Sequence, residues 1–213
     1  MIQIKCFEFN HFPVNTYILW DKESKEAAVI DCGCIYEKEE KMLDDYITQN
    51  QLSVKYLLNT HLHLDHAFGN SYFYKKYGIK VATHRADVEQ LPSVVKQGQR
   101  YGITIPDLGY EIEDFLSDGD CIPLGASELK VIHISGHSPG GILFHSPADG
   151  FLISGDVLFH ESVGRSDLWG GNEQQLIQGI CEKLLILPDE TVVYPGHGPA
   201  TTIGHEKRYN PFL

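Results

Sequence analysis

The run HLHLDH at residues 61–66 places four histidine or aspartate side chains within six residues, directly after an apolar, strand-like segment. In an extended chain the side chains of residues i and i+2 point the same way, so His61 and His63 can bind one metal ion. Beyond the bend, Asp65 and His66 can face a second ion, while the two intervening leucines pack inward. The run therefore predicts a metal site at the end of a strand.

Three later apolar runs also end in glycine-containing turns that carry a possible metal ligand. His137 lies in the turn GHSPG, Asp156 directly follows Gly155, and His197 lies in the turn PGHGP. Glycine allows the backbone to approach a bound ion closely, and loops at strand ends are the usual place for functional residues. We therefore expect these three side chains to join the first group.

Together these segments supply five histidines and two aspartates, which is enough for two metal ions with three terminal ligands each and one shared carboxylate. We assign the ligands as follows: His61, His63 and His137 to one ion, Asp65, His66 and His197 to the other, and Asp156 to both. The set contains no thiolate and suits zinc, iron or manganese. We expect two divalent ions, with zinc as the first choice.

The motifs resemble those of the metallo-β-lactamase superfamily and, within it, the glyoxalase II-like hydrolases. They occur in the same order and at approximately the same spacing over nearly the whole chain, and the segment SVGRSD at residues 162–167 matches as well. The resemblance implies an α/β fold with four layers, an αββα sandwich, and a metal site at the edge where both sheets end. We expect residues 1–213 to form one such domain.

Hydrophobic periodicity agrees with two groups of strands and helical cover. The predicted strands are residues 2–9, 14–20, 27–31, 54–59, 79–83, 128–135, 141–145, 151–154 and 191–194. The clearest predicted helices are residues 36–50 and 172–187, the second with Asn172 as its N-cap.

The predicted activity is hydrolysis of a small thioester or ester substrate, of the hydroxyacylglutathione hydrolase type. A hydroxide bridging the two ions would attack the carbonyl carbon, one metal ion would polarise the carbonyl oxygen, and Asp65 would also orient the nucleophile. The resemblance places a substrate-binding cation at Arg165, although an ion pair with Asp167 would explain this residue equally well. His160, four residues after Asp156, is a candidate for the wall of the substrate pocket.

Two other functions share this fold. Persulfide dioxygenases of the superfamily use two histidines and one aspartate on a single iron and leave the second group without metal, so metal content and oxygen consumption separate them from a hydrolase. Diiron electron-transfer domains tend to replace a histidine of the first cluster by carboxylate ligands, and this sequence does not show that replacement.

Charge and hydropathy restrict the partners. The 29 acidic against 17 basic residues give a formal net charge of −12, which argues against a nucleic-acid partner. The sequence lacks a signal-peptide pattern and an apolar run of membrane-spanning length, so we expect a cytoplasmic protein that acts on a small molecule. Only 16 residues follow His197, so we expect no helical C-terminal domain of the kind that binds glutathione in longer relatives.

Overall fold

The computed structural model describes residues 1–105 and 109–213. Within these ranges the strands form two six-stranded sheets and one two-stranded hairpin. The first sheet contains, in spatial order, β1 (Ile2–Phe9), β2 (Val14–Asp21), β3 (Glu26–Ile30), β4 (Ser53–Leu58), β5 (Val81–Thr83) and β6 (Ile112–Phe115). The first three strands pair antiparallel, and β3 to β6 pair parallel.

The second sheet contains strands from the C-terminal half of the chain. These strands are, in chain order, β7 (Cys121–Leu124), β8 (Ser127–His133), β9 (Ile142–Ser146), β10 (Phe151–Gly155), β13 (Val192–Pro195) and β14 (Thr201–Thr202). The pair β10 and β13 is parallel, and the other pairs are antiparallel. The short hairpin consists of β11 (Leu158–Phe159) and β12 (Ser162–Val163).

Helices connect the strands and cover the sheets. They are α1 (Glu37–Gln49), α2 (Leu64–Ala67), α3 (Asn70–Tyr77), α4 (Arg85–Gln90), α5 (Val94–Arg100), α6 (Glu173–Gly179) and α7 (Ile203–Tyr209). A π-helical segment, Ile180–Leu184, continues directly from α6. Among the helices of the two described ranges, none combines the length and the hydropathy that a membrane crossing requires.

The alternation of side chains along the strands builds two kinds of core. In β10, Phe151 and Ile153 belong to a cluster shared by both sheets, whereas Leu152 belongs to the cluster on the outer face. In β2, Leu19 points between the sheets and Ile18 points outward. Successive side chains of a strand face opposite sides, so each sheet has one inner and one outer apolar face.

Helices bury both outer faces. Leu43 of α1 and Phe73 of α3 pack in the outer cluster of the first sheet, while Leu176 of α6 and Ile203 of α7 pack in that of the second. The layers are therefore helix, sheet, sheet and helix, which confirms the predicted αββα architecture.

The predicted elements agree with the structure in most of the core. β1 has the predicted bounds, and Asn172 caps α6 by accepting a hydrogen bond from the Gln175 backbone N–H. The predicted helix 172–187 differs from the structure in two respects. α6 gives way to the π-helical segment at Ile180, and that segment ends at Leu184. The buried residues Leu176, Ile180 and Leu184 recur every four residues. Four residues exceed an α turn of about 3.6 residues and fall short of a wider i→i+5 turn, so the α and π turns offset each other and keep the three side chains on one face.

Candidate metal centre

The strand ends of both sheets bring the predicted ligands to one edge of the sandwich. The run 61–66 follows β4, and its second half begins α2. Asp156 and His197 follow β10 and β13, whose carboxyl ends lie together because these strands are parallel. A β-bridge between Val14 and His197 joins the first sheet to the loop after β13. The site therefore forms where the two sheets meet.

The first group of ligands consists of His61, His63 and His137, all buried. His137 Nε2 lies 2.9 Å from His63 Nδ1 and 3.3 Å from His61 Nε2. Ligand atoms of a tetrahedral zinc ion lie roughly 3.3 Å apart, given Zn–N bonds of about 2.0 Å. The three nitrogens thus converge at the spacing that one ion requires.

The second group consists of Asp65, His66 and His197. Asp65 Oδ2 lies 3.3 Å from His197 Nε2 and 3.7 Å from His66 Nε2. This group combines two imidazoles with a carboxylate, as the sequence predicted.

Asp156 lies between the two groups. Its Oδ2 is 3.5 Å from His137 Nε2 and 3.6 Å from His197 Nε2. Its Oδ1 is 3.3 Å from His66 Nε2. One carboxylate thus reaches ligands of both groups, which is the geometry of a shared ligand.

Unpaired polar atoms show that these residues fit a metal. Within the described part of the chain, His66 Nε2 and Asp156 Oδ1 are buried and have no hydrogen-bond partner. Leaving such an atom unpaired costs about 1–3 kcal/mol. An ion held between them would satisfy both atoms, and ligation by nitrogen and oxygen alone suits zinc, iron or manganese.

The two groups differ in their electrostatics. Burial, together with the neighbouring imidazoles, lowers the pKa of His61 and lowers that of His63 to about 3, so both rings are neutral and their lone pairs are free for a cation. Burial also acts to lower the pKa of His66, but the negative charges of Asp156 and Asp31 outweigh it and raise that pKa. The second group therefore lies in the more negative surroundings and attracts positive charge.

A cavity of about 260 Å³ opens above the ligands. Its lining includes five of the predicted ligands, His63, Asp65, His137, Asp156 and His197, together with Phe12, Tyr101, Arg165 and Trp169. The predicted ligands therefore face a space that can hold a small molecule.

Arg165 forms the ion pair considered from the sequence and also borders the cavity. Its Nε and Nη2 each donate a hydrogen bond of 2.7 Å to Asp167, and its side chain also borders the cavity. The ion pair is largely exposed, with 58% and 67% of the two side chains accessible. Such exposed pairs contribute only about 0–1 kcal/mol to stability.

His160 lies elsewhere. Among the described residues that border the cavity His160 does not occur, and its ring stacks instead on that of His205 at 4.9 Å. The β11–β12 hairpin turns the chain away from the centre directly after Phe159, so closeness to Asp156 in sequence does not bring His160 to the cavity.

A model of the metallo-beta-lactamase superfamily matches residues 10–197, a range that includes all seven ligands. The chain belongs to the metallo-beta-lactamase superfamily. Membership implies a metal-dependent hydrolase in general, and the cluster of histidines and aspartates supplies side chains that could hold divalent metal ions.

Other members of the superfamily match over the whole chain. The protein is 35% identical to hydroxyacylglutathione hydrolase of Haemophilus influenzae over 213 residues, which cover 100% of this chain and 98% of that protein. Among solved structures it is similar to the BLEG-1 B3 metallo-beta-lactamase, with 32% identity, a TM-score of 0.88 and 99% coverage of both chains. It is also similar to TTHA1623 in a di-iron-bound form, with 32% identity, a TM-score of 0.86 and coverage of 98% and 100%.

The sequence analysis missed Asp31, which supports the second group of ligands. This buried carboxylate lies 2.9 Å from His66 Nδ1 and accepts hydrogen bonds from the Thr60 hydroxyl and backbone N–H, at 2.6 and 2.8 Å. The contact fixes the orientation of the His66 ring and leaves Nε2 free for a metal, a role that partners of metal-bound histidines commonly have. An aspartate directly after an apolar strand was the available signal, since Asp156 also follows a strand.

Backbone carbonyl groups fix two other rings in the same way. His137 Nδ1 lies 2.8 Å from the Arg165 carbonyl oxygen, and His197 Nδ1 lies 3.1 Å from that of Pro13. A carbonyl oxygen can only accept a hydrogen bond, so Nδ1 is the protonated nitrogen in each ring. Both Nε2 atoms therefore keep their lone pairs for the metal-binding side.

Proposed function

We propose that this protein is a binuclear metal-dependent hydrolase that acts on small thioester or ester substrates. The observation that carries the proposal is the position of Asp156 between two groups of three ligands, beside a cavity that it helps to line. Seven converging side chains, one of them a carboxylate that reaches both groups, supply enough donors for two ions. Zinc is the ion we propose first, and iron and manganese fit the same ligands.

The thioester part of the proposal is supported by similarity. A hydroxyacylglutathione hydrolase is 35% identical over 213 residues, which cover 98% of that protein. The cavity also suits a small acyl group, because its volume is only about 260 Å³ and its lining includes the aromatic side chains Phe12, Tyr101 and Trp169.

The residues around the centre have distinct tasks. When bound, a metal pair supplies a water with a pKa near 7 and polarises a carbonyl oxygen. Burial acts to raise the pKa of Asp65, but the neighbouring His66 outweighs this effect and lowers that pKa, so the carboxylate stays ionised. Asp65 can then accept a hydrogen bond from the attacking water and orient that water. The aromatic side chains in the cavity lining hold the acyl group beside it.

Metal content and substrate preference test the proposal together. The purified protein should contain about two transition-metal ions per chain and should hydrolyse acyl thioesters faster than β-lactams, because its proposed substrate carbonyl belongs to a thioester. The Asp65→Ala variant should lose most of this activity. A protein with one iron, oxygen consumption with a persulfide, and full activity in Asp65→Ala would instead be a mononuclear dioxygenase.

Arg165 provides a test of substrate charge. Two of its N–H groups contact Asp167, and the remaining ones are free to donate to a substrate carboxylate. In the Arg165→Ala variant, KM for anionic thioesters should rise about 10-fold or more, because the loss of one hydrogen bond to a charged group weakens binding by that factor. KM for neutral thioesters should stay unchanged.

The matched control is Asp167→Ala, which breaks the ion pair and keeps the cation. KM for anionic substrates should stay at or below its original value in this variant. Equal losses on both substrate types in Arg165→Ala, with a lower melting temperature, would show that Arg165 only supports the loop.

A further inference from the structure

A second cluster of metal-binding side chains lies on the surface, outside the catalytic centre. It consists of His160 and Glu161, in the turn of the β11–β12 hairpin, and His205 of α7. Glu161 Oε1 lies 3.0 Å from His205 Nε2 and 4.0 Å from His160 Nε2. These distances bracket the roughly 3.3 Å that separates the ligand atoms of a tetrahedral zinc ion.

Buried contacts hold the backbone of Glu161, the carboxylate residue of this cluster, in place. Glu161 has a backbone φ of +53°, which is unfavourable for a residue with a side chain. Its N–H donates a 2.9 Å hydrogen bond to the carboxylate of Glu206, which is fully buried and also accepts from Thr201 and Asn210. The turn is thus tied to α7 by a buried network, and this directs the Glu161 side chain toward His205.

The two imidazoles are held in a stack. The ring of His205 lies 4.9 Å from that of His160 at an interplanar angle of 20°, and Tyr209 packs on it at the same distance. The hydroxyl of Thr202 accepts a hydrogen bond from the His205 backbone N–H at the start of α7. Both rings therefore have a nitrogen within 4.0 Å of the same carboxylate.

We propose that His160, Glu161 and His205 form a further metal site that binds a divalent transition-metal ion such as zinc, nickel or copper. Two histidines and one glutamate are a known ligand set for zinc, and three protein ligands leave a position for water. Imidazole ligands favour these ions over magnesium and calcium. The site uses none of the seven ligands of the catalytic centre, so it does not depend on the proposed hydrolase activity.

The position of this site gives it a structural consequence. The hairpin begins two residues after Asp156, and the ring of Phe159 lies 6.3 Å from that of His197. An ion bound by His160 and His205 would fasten the hairpin to α7. The bound protein should therefore unfold at a higher temperature than the same protein with only its catalytic centre filled.

Metal counting on the loaded protein tests the proposal. Protein with its catalytic centre already filled with zinc is dialysed against excess zinc, and zinc per chain is measured. We expect one zinc ion more per chain in the unmodified protein than in His205→Ala. In Glu161→Gln the affinity of this site for zinc should be at least about 10-fold lower, because losing a ligand costs at least as much affinity as losing the hydrogen-bond partner of a ligand. At zinc about 100 times above the Kd, the melting temperature should rise by roughly 5 °C or more.

The His84→Ala variant is the matched control. His84 and His133 also stack, at 4.2 Å and 5°, but the described residues place no third ligand atom with them. This variant should keep the additional ion. The proposal is overturned if His205→Ala holds as much zinc as the unmodified protein, if Glu161→Gln binds it equally tightly, or if His84→Ala loses it. Melting curves without added zinc establish that each variant is folded.

Discussion

The Asp156→Ala variant should lose both metal ions and at least about 1,000-fold of its activity. The carboxylate lies within 3.6 Å of ligand nitrogens from both groups, namely those of His66, His137 and His197. Without it the two groups share no anionic ligand, and six ligands must hold two cations. Removing a single preorganised electrostatic contact from an active site costs about 100- to 1,000-fold, and a shared metal ligand contributes more than one such contact.

Metal titration of the variant measures this effect directly. His197→Ala is the comparison, because His197 belongs to the second group alone and its loss should weaken mainly one site. Two tight, intact sites in Asp156→Ala would contradict the assignment of Asp156 as the shared ligand. The close approach of the two groups would then need another explanation.

The ligands were predictable from the sequence because two simple rules act together. When apolar strands end at the same edge of the sandwich, the residues that follow them lie close together. In an extended chain, the side chains of residues i and i+2 point the same way. His61 and His63 obey the second rule, while Asp156 and His197 obey the first, since β10 and β13 are parallel neighbours. The prediction used no information on tertiary contacts, and the structure brings these side chains together.

Strands with weak local signals were not predictable in the same way. The strand β7 contains Pro123, which interrupts a strand pattern because proline has no backbone N–H. The structure places β7 at the edge of the second sheet, where it pairs on one side with β8. An edge position accommodates proline, but nothing local in the sequence indicates which strand lies at an edge.

Side chains whose roles depend on packing between distant segments were the hardest to assign. Asp31 contacts His66, 35 residues away, and a single aspartate after a strand also occurs in ordinary turns. His160 lies close to Asp156 in sequence, yet the two-residue strands β11 and β12 form a hairpin that takes it to the surface. These strands are too short to be recognised from periodicity, so the change of direction is visible only in the fold.

The second large effect is expected at Gly196, which lies against the ligands. A Cβ atom at this position would be 2.2 Å from Asp156 Oδ1 and 2.7 Å from His66 Cε1. Neither ligand can remain in place beside such an atom. The Gly196→Ala variant should therefore bind metal about 10- to 100-fold more weakly and lose at least about 100-fold of its activity, because displacements of about 1 Å have that cost in active sites.

Gly198→Ala separates this displacement from a general effect on the loop. Gly198 has a φ of +73° and no atom within 4 Å of the added Cβ, so alanine there costs about 1–2 kcal/mol of stability through backbone strain. Its metal content should be unchanged. In Gly196→Ala the loss should instead appear in metal content and activity, while the hydrogen bond of 2.7 Å from the Gly196 N–H to the Gly155 carbonyl oxygen can persist. Normal metal binding and full activity in Gly196→Ala would mean that Asp156 can leave its position without consequence, and the shared-ligand geometry would then be wrong.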